Sequence, residues 1–364
     1  MTASRQPASW APRDVLEKFL LGFEGTSLPH ELRELLAGGL GGVAIYPRNF
    51  TSAEGLRLLT KEICCAAGEP VLIGIDQEGG TKFSLPEPFT QWVSPEELVQ
   101  LNDEEAVEQQ ALARELRAVA VNLNFAPMLD LHVNPESPVT KGRSFGADPH
   151  RVSRLGAAFI RGMGEGEVLA CGKHFPGHGD AQVDPHEDLP VLRRSEGELG
   201  RADWVPFAKA IQEKTMPLLM TAHILLPELD TEKPTSLSRR LVTGILRERI
   251  GFDGVILADD LGMGAISRRY GPGEAAVEAI RAGSDIVMLC HDWGLARPAI
   301  EKVAEVRARG GFAESEWQAS RERMALIRRM LRNLEVFYGQ PVIKEVGCVK
   351  HWELAAEIRT QLKK

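Results

Sequence analysis

Eight short apolar runs, spaced along the chain with amphipathic stretches between them, constrain this sequence more than any other feature. They are Phe19 to Phe23, Gly42 to Tyr46, Val71 to Ile75 and Val121 to Phe125, then Val168 to Cys171, Pro217 to Thr221, Gly254 to Leu257 and Asp285 to Leu289. Most are continuous rather than alternating, as in parallel strands buried on both faces. The intervening stretches read as helices. From Asp103, a fitting N-cap, Val107, Ala111, Leu112, Leu116 and Val119 recur at helical spacing. Eight strand–helix units predict an α/β chain closed into a (β/α)8 TIM-like barrel. A doubly wound sheet is the alternative, but no Gly-x-Gly-x-x-Gly turn follows an early strand.

The barrel is expected to occupy residues 1–338, with a loose polar lead-in up to about residue 14. From Gly339 the pattern changes to a short apolar piece, Pro341 to Val346, and a helix from His351 to Leu362. This tail, 339–364, is too short for a second domain and is expected to pack on the outside of the barrel. Balance of charge narrows the partners. A net charge of -8 argues against nucleic acid or an anionic membrane surface. No apolar run approaches eighteen residues, and the first twenty resemble no signal peptide. The five cysteines include no Cys-x-x-Cys pair, which suits reduced thiols and a cytoplasmic location. Cys171 reads as a packing residue.

Chemistry concentrates in KHFPGHGDAQVDPHED, Lys173 to Asp188. It holds His174, His178 and His186 with Asp180, Asp184 and Asp188. Its prolines and glycines exclude a regular helix and point to a shaped loop leaving a buried strand. Two readings compete. In one, His174, His178 and Asp184 ligate a metal. In the other, Asp184 orients His186 and supports its charge for acid/base work.

Other strand ends carry polar groups to the same face. Asp76, Gln77 and Glu78 follow the third run, and Asp130 and Arg143 lie beyond the fourth. Lys173 and His174 follow the fifth, His223 the sixth, and Asp259 and Asp260 the seventh. Five strands of eight supplying such groups to one barrel mouth is the pattern of an active site. Structural roles compete at each position. Asp76 also fits a helix N-cap, Arg143 a brace to Asp130, His223 a satisfied core histidine, and Glu78 reads as structural. One of Asp259 and Asp260 is expected to be catalytic and the other structural.

In order along the chain stand LGFEG from Leu21, IDQEGG ending at Gly80, NFAPMLD from Asn124 and GRSFG at 142–146. KHFPGHGD from Lys173, MTAHILLPELD from Met220, Pro234 to Ser238 and GFDGVILADDLGM from Gly251 follow. With this ordered set the chain resembles the family three glycoside hydrolases. In particular it resembles the single-domain bacterial β-N-acetylglucosaminidases (β-hexosaminidases) of cell-wall recycling. The resemblance implies Asp259 as nucleophile and His186 as acid/base, with Asp184 as its partner. It implies Asp76, Arg143, Lys173 and His174 as groups gripping the terminal sugar. It implies no metal and no cofactor. The substrate would be a small carbohydrate, an N-acetylglucosamine glycoside or a muropeptide, acted on by a monomer.

Three departures from the family pattern stand out. Thr81, Lys82, Phe83 and Ser84 follow IDQEGG where the family usually has Arg-Val-x-Arg. Pro185 separates the dyad members where Ser or Thr is usual, and Ala258 precedes the nucleophile in place of serine. Lys82 does not reproduce an arginine fork, and proline at 185 fixes φ and removes an N–H. The expected activity is therefore retaining exo-hydrolysis of terminal β-linked N-acetylglucosamine through a glycosyl-aspartate. A β-glucosidase or other exo-β-glycosidase is the nearest alternative. A metal-dependent hydrolase and a non-catalytic sugar-binding barrel are the rivals from other classes.

Overall fold

The computed structural model describes residues 10–82, 84–101, 106–335 and 343–363. Each of the eight apolar runs contains a strand. These are β1 (Phe19–Leu21), β2 (Gly42–Ile45), β3 (Leu72–Ile75), β4 (Leu123–Asn124), β5 (Leu169–Phe175), β6 (Leu218–Thr221), β7 (Val255–Asp260) and β8 (Ile286–Leu289). They pair in parallel in chain order, and β8 closes on β1. The expected (β/α)8 barrel is the fold. Asp103, Phe83, residues 1–9 and residues 336–342 lie outside the described residues, so the cap proposed at Asp103 and the start of the tail are not addressed. Among the described residues no helix is long and apolar enough to cross a membrane.

Side chains on a strand alternate between faces, so each barrel strand has an inner and an outer set. The inner set includes Leu20, Ala44, Leu72, Leu123, Leu169, Leu218, Val255 and Ile286, with Phe125, Met220, Leu257 and Met288 further along. Cys171 is buried among them, in the packing role expected of it. The residues between, such as Leu21, Ile73, Ala170, Leu219 and Ile256, pack outward against the helices. Burying one such aliphatic side chain contributes about 1.5–3 kcal/mol, so the two layers together drive closure. Gly74 takes an inner position, where a Cβ would stand 2.3 Å from the ring of Phe125. Glycine there lets the phenyl ring fill the barrel.

The N-terminal end of the barrel is sealed by the helix Glu314–Glu335. Its Met324, Ile327 and Leu331, spaced three and four apart, join the inner core. Lys18, just before β1, bonds Ser320 of this helix, and Asp285, just before β8, is gripped by Arg323 and Arg247. With that end closed, the C-terminal end is left to hold a site.

Two strands outrun their apolar segments. β5 continues to Phe175 and β7 to Asp260. Lys173, His174, Asp259 and Asp260 are therefore strand residues, not members of the following loops as the sequence suggested. Lys173 follows the inner series Leu169, Cys171, and Asp259 the series Val255, Leu257. Both line the cavity at the barrel mouth, where Asp76 and Glu78 receive Lys173. The register is irregular between Gly172 and Phe175 and between Ala258 and Asp260, and His174 and Asp260 line the barrel mouth as well.

The described part of the tail, from Ile343, carries the helix Val349–Gln361 with Ala355 and Ile358 buried. Its anchor is His351, whose Nδ1 lies 2.8 Å from the buried Glu115 carboxylate. Glu115 also accepts from Thr90 N–H (3.0 Å), Thr90 Oγ1–H (2.6 Å) and Gly347 N–H (3.0 Å). Arg359 bonds the carbonyl of Gln91. The tail thus ties down the connection after β3. His351→Ala, leaving a buried acceptor short of a donor, should cost about 1–3 kcal/mol. Thermal unfolding measures it, and an unchanged midpoint would show that the anchor contributes nothing.

Candidate active site

At the C-terminal ends of the strands lies a cavity of about 450 Å³. Its floor is apolar, formed by Phe125, Met220 and Met288 from the inner core with Met263 beside them. Its walls are polar and hold Asp76, Arg143, Lys173, His174, Asp184, His186, Asp259 and Asp260. The seven residues to which the family resemblance gives a role, Asp76, Arg143, Lys173, His174, Asp184, His186 and Asp259, therefore meet in one cavity. An apolar floor under convergent polar groups suits a ring with one hydrophobic face and hydroxyls at its rim.

Lys173 organises one wall. Its Nζ lies 2.6 Å from Asp76 Oδ1 and 2.6 Å from Glu78 Oε1. Burial alone would depress the ammonium, but Asp76 and Glu78 outweigh it and hold its pKa above the ordinary value. Glu78 is also buried, which favours its neutral form. Arg143 and Lys173 overcome that and bring it down to about 2. Arg143 makes a two-pronged contact to Glu78, Nε to Oε2 at 2.8 Å and Nη2 to Oε1 at 2.7 Å, and Nη1 donates to the carbonyl of Val139 at 2.9 Å. The brace suggested between Arg143 and Asp130 is thus made to Glu78 instead, because the third-strand carboxylate presents both oxygens to the fork. Asp76 does not cap a helix; it receives Lys173 and stays partly open to the cavity.

Asp130 organises the floor of the β5 connection. Fully buried, it accepts from His174 Nδ1 at 2.7 Å and from the backbone N–H of His178 at 3.0 Å. Burial opposes its charge, yet His174 and His178 keep its pKa well below the carboxylate range. Burial lowers His174, leaving a neutral ring. Since Nδ1 carries the proton toward Asp130, Nε2 is an acceptor. The metal reading placed His174 and His178 with Asp184. The structure gathers those two histidines around Asp130, with ligand atoms all within 4.8 Å of one another. Asp184 instead bonds His186. In that triad a direct hydrogen bond joins Asp130 Oδ2 to His174 Nδ1.

Asp184 and His186 stand on the loop after β5. Asp184 Oδ1 receives both His186 Nδ1 at 2.8 Å and the His186 backbone N–H at 2.9 Å. The bond to Asp184 raises the imidazole pKa against partial burial, with added support from Asp259 and Asp260. The same bond brings Asp184 down to about 2. Pro185 removes no bond that the pair uses: the N–H that closes the turn belongs to His186.

Asp259 and Asp260 are pushed apart. Burial raises Asp260 to about 6, helped by the charge of Asp259; its Oδ1 accepts from Gly262 and Cys290 N–H groups. Asp259 is held below its ordinary value: burial opposes ionisation, but His174, His223, the Asp260 N–H and His186 together prevail. His223 is the satisfied core histidine. Its Nε2 lies 3.0 Å from the Asp260 carbonyl, which can only accept, and its Nδ1 lies 2.7 Å from Ser236 Oγ.

Tyr46 and His291 also line the cavity and were not singled out in the sequence. Tyr46 continues the inner alternation of β2 after Ala44, so strand parity was the signal that would have found it. His291 lies out of step with the inner residues Ile286, Met288 and Cys290, and no local pattern marks it. Arg48 stacks over the Tyr46 ring at 4.4 Å and contacts His291 Nδ1 at 3.2 Å. Lys82 reaches the rim through a 3.2 Å bond to the carbonyl of Pro138.

Residues 20–327 match the glycosyl hydrolase family 3 N-terminal domain. A β-hexosaminidase of Thiobacillus denitrificans is 37% identical over 298 residues, covering 79% of this chain and 82% of that protein. Among solved structures, a glycoside hydrolase family 3 β-N-acetylglucosaminidase from Paenibacillus sp. str. FPU-7 superposes with a TM-score of 0.87 at 32% identity. That match covers 95% of this chain and 67% of the other. NagZ from Neisseria gonorrhoeae, in complex with N-trifluoroacetyl-D-glucosamine, gives a TM-score of 0.74 at 31% identity, covering 95% of this chain and 98% of the other.

The Glu78 cluster generates a pH prediction. A carboxylate depressed in the folded state contributes stability above its unfolded pKa, and that contribution disappears as pH falls through the folded value. For Glu78 the window runs from the ordinary 4.5 down to about 2. Glu78→Gln should lose about 3 kcal/mol at neutral pH, by removing the charge that Lys173 and Arg143 share, and should lose less further stability across that window than the wild type. Denaturant unfolding at stepped pH tests this; parallel curves would refute it.

Proposed function

This chain belongs to glycosyl hydrolase family 3 and is a glycoside hydrolase; within that class we propose a retaining exo-β-N-acetylglucosaminidase working through a glycosyl-aspartate. The observation that carries the reading is the Asp184–His186 pair, lining the same cavity as Asp259. A protonatable histidine and an ionised aspartate there meet the two needs of the double displacement.

In the first step an oxygen of Asp259 attacks the anomeric carbon. The glycosidic C–O bond breaks, and its electron pair stays with the leaving oxygen, which takes a proton from His186. Nδ1 is committed to Asp184, so Nε2 is the nitrogen that transfers. In the second step the neutral imidazole removes a proton from water. The water oxygen attacks the same carbon and Asp259 departs as carboxylate. Asp76, Lys173, Arg143 and the Nε2 acceptor of His174 are suited to the hydroxyls and acetamido group of the terminal sugar. The N-trifluoroacetyl-D-glucosamine bound by the Neisseria relative favours an acetamido sugar over plain glucose. Comparing aryl β-N-acetylglucosaminide with aryl β-glucoside turnover tests that choice. A cytoplasmic monomer acting on muropeptides fits the same reading.

Asp259→Asn should abolish turnover of every substrate, by several orders of magnitude. Near-normal activity there, with a lethal Asp260→Asn, would move the nucleophile by one residue.

His186→Ala should slow release of a poor leaving group severely and of dinitrophenolate much less. The glycosyl-enzyme should then accumulate as a burst, and azide should speed its breakdown. Asp184→Ala should act in the same direction more mildly. Losing the carboxylate that raises His186 should move the alkaline limb of the rate profile to lower pH. Equal loss for all leaving groups, without burst or azide rescue, would overturn the acid/base assignment.

A further inference from the structure

The loop that carries His186 is not held by its own strand alone. Two backbone bonds dock it onto the turn that leaves β7: Gly264 N–H donates to the His186 carbonyl at 3.2 Å, and Ala265 N–H to the Pro185 carbonyl at 3.0 Å. That turn is itself fixed to the nucleophile strand. Met263 N–H bonds the Asp260 carbonyl at 3.0 Å, Leu261 N–H bonds the Met288 carbonyl at 3.0 Å, and Gly262 N–H bonds Asp260 Oδ1 at 2.9 Å. Main-chain bonds therefore run from Asp260 through Met263 and Gly264 to His186. At the far end of the same contact, Arg269 Nη2 meets Asp188 Oδ1 at 2.8 Å.

Gly264 is the narrow point. Its φ lies outside the left-handed region, so its backbone would accept any side chain. Space is what it lacks. A Cβ would lie 2.6 Å from the His186 carbonyl oxygen and 2.8 Å from that of Glu187. Both are backbone atoms, so no side-chain rotation relieves the clash. One partner must move. Ala265 and Ile266 are fully buried and β8 holds Leu261, whereas Asp184, His186, Glu187 and Asp188 are half-buried or exposed. The loop would give way.

We propose that Gly264 is a positioning residue for the acid/base histidine: its missing side chain lets the His186 loop seat directly on the β7 turn that carries Asp259. The inference rests on the assignment of His186 made above. Displacing a proton donor by as little as about 1 Å costs up to about a hundredfold in rate, and the loss falls on the substrates that need the proton.

The test uses the full chain and a series of aryl β-N-acetylglucosaminides of graded leaving-group acidity. Gly264→Ala should lower kcat/KM for the phenyl glycoside about tenfold or more and leave the dinitrophenyl glycoside within about twofold. In a His186→Ala background the same change should add nothing, because two residues acting through one group are not additive. Equal loss across the series, no loss, or full additivity in the double variant would overturn the inference. His186→Ala alone keeps the two ideas separate. If it shows no leaving-group selectivity, the acid/base reading falls and this inference with it. If it is selective while Gly264→Ala is not, only this inference falls. Should Gly264→Ala not fold, Arg269→Gln decides. It releases the exposed Asp188 latch and should give the same selective loss, about two- to threefold, while unchanged selectivity overturns the proposal.

Discussion

The buried ammonium of Lys173, fixed between Asp76 and Glu78, is the contact that the barrel mouth depends on. An isolated charge at that depth would be expelled or neutralised. Here two carboxylates from β3 and its connection hold it, and Arg143 returns from the long loop after β4 to share Glu78. Two consecutive connections are thereby locked to the end of β5 before any ligand arrives. The tail holds the connection after β3 at a separate point, through Glu115, Thr90 and the Gln91 carbonyl.

Around that anchor the mouth sorts its titratable groups by environment. Asp130, buried among donors, keeps a full charge and orders the first turn after β5. Asp259 stays ionised because several imidazoles and an N–H face it, while Asp260, one residue on, is driven upward by burial. His186 gains affinity for a proton from Asp184, and His174 loses it through burial. Neighbouring groups of the same type are pushed in opposite directions, the pattern that acid/base chemistry near neutral pH uses.

Much of this was legible from residue pattern. The eight runs gave the barrel because continuous apolar segments must be buried on both faces. Strand-end polarity located the mouth, and the ordered motifs pointed to Asp259 and His186. Tyr46 and His291 escaped notice because an aromatic and a lone histidine at strand ends carry no motif. The partner of Arg143 was misjudged, since nothing in the spacing distinguishes Glu78 from Asp130. Asp184 was grouped with His174 and His178 in the metal reading because proximity along a loop says little about proximity across it.

The sequence by itself determined which segments became strands and which face gathered the charges. Those follow from hydrophobic burial and the polarity of the strand ends, both local properties. Only the tertiary structure decided how far β5 and β7 extend, which carboxylate meets which cation, and how the His186 loop rests on the turn at Gly264. Such pairings join residues far apart in the chain. They depend on distances of a few ångströms that no local pattern encodes, and closing the barrel is what brings those groups within reach.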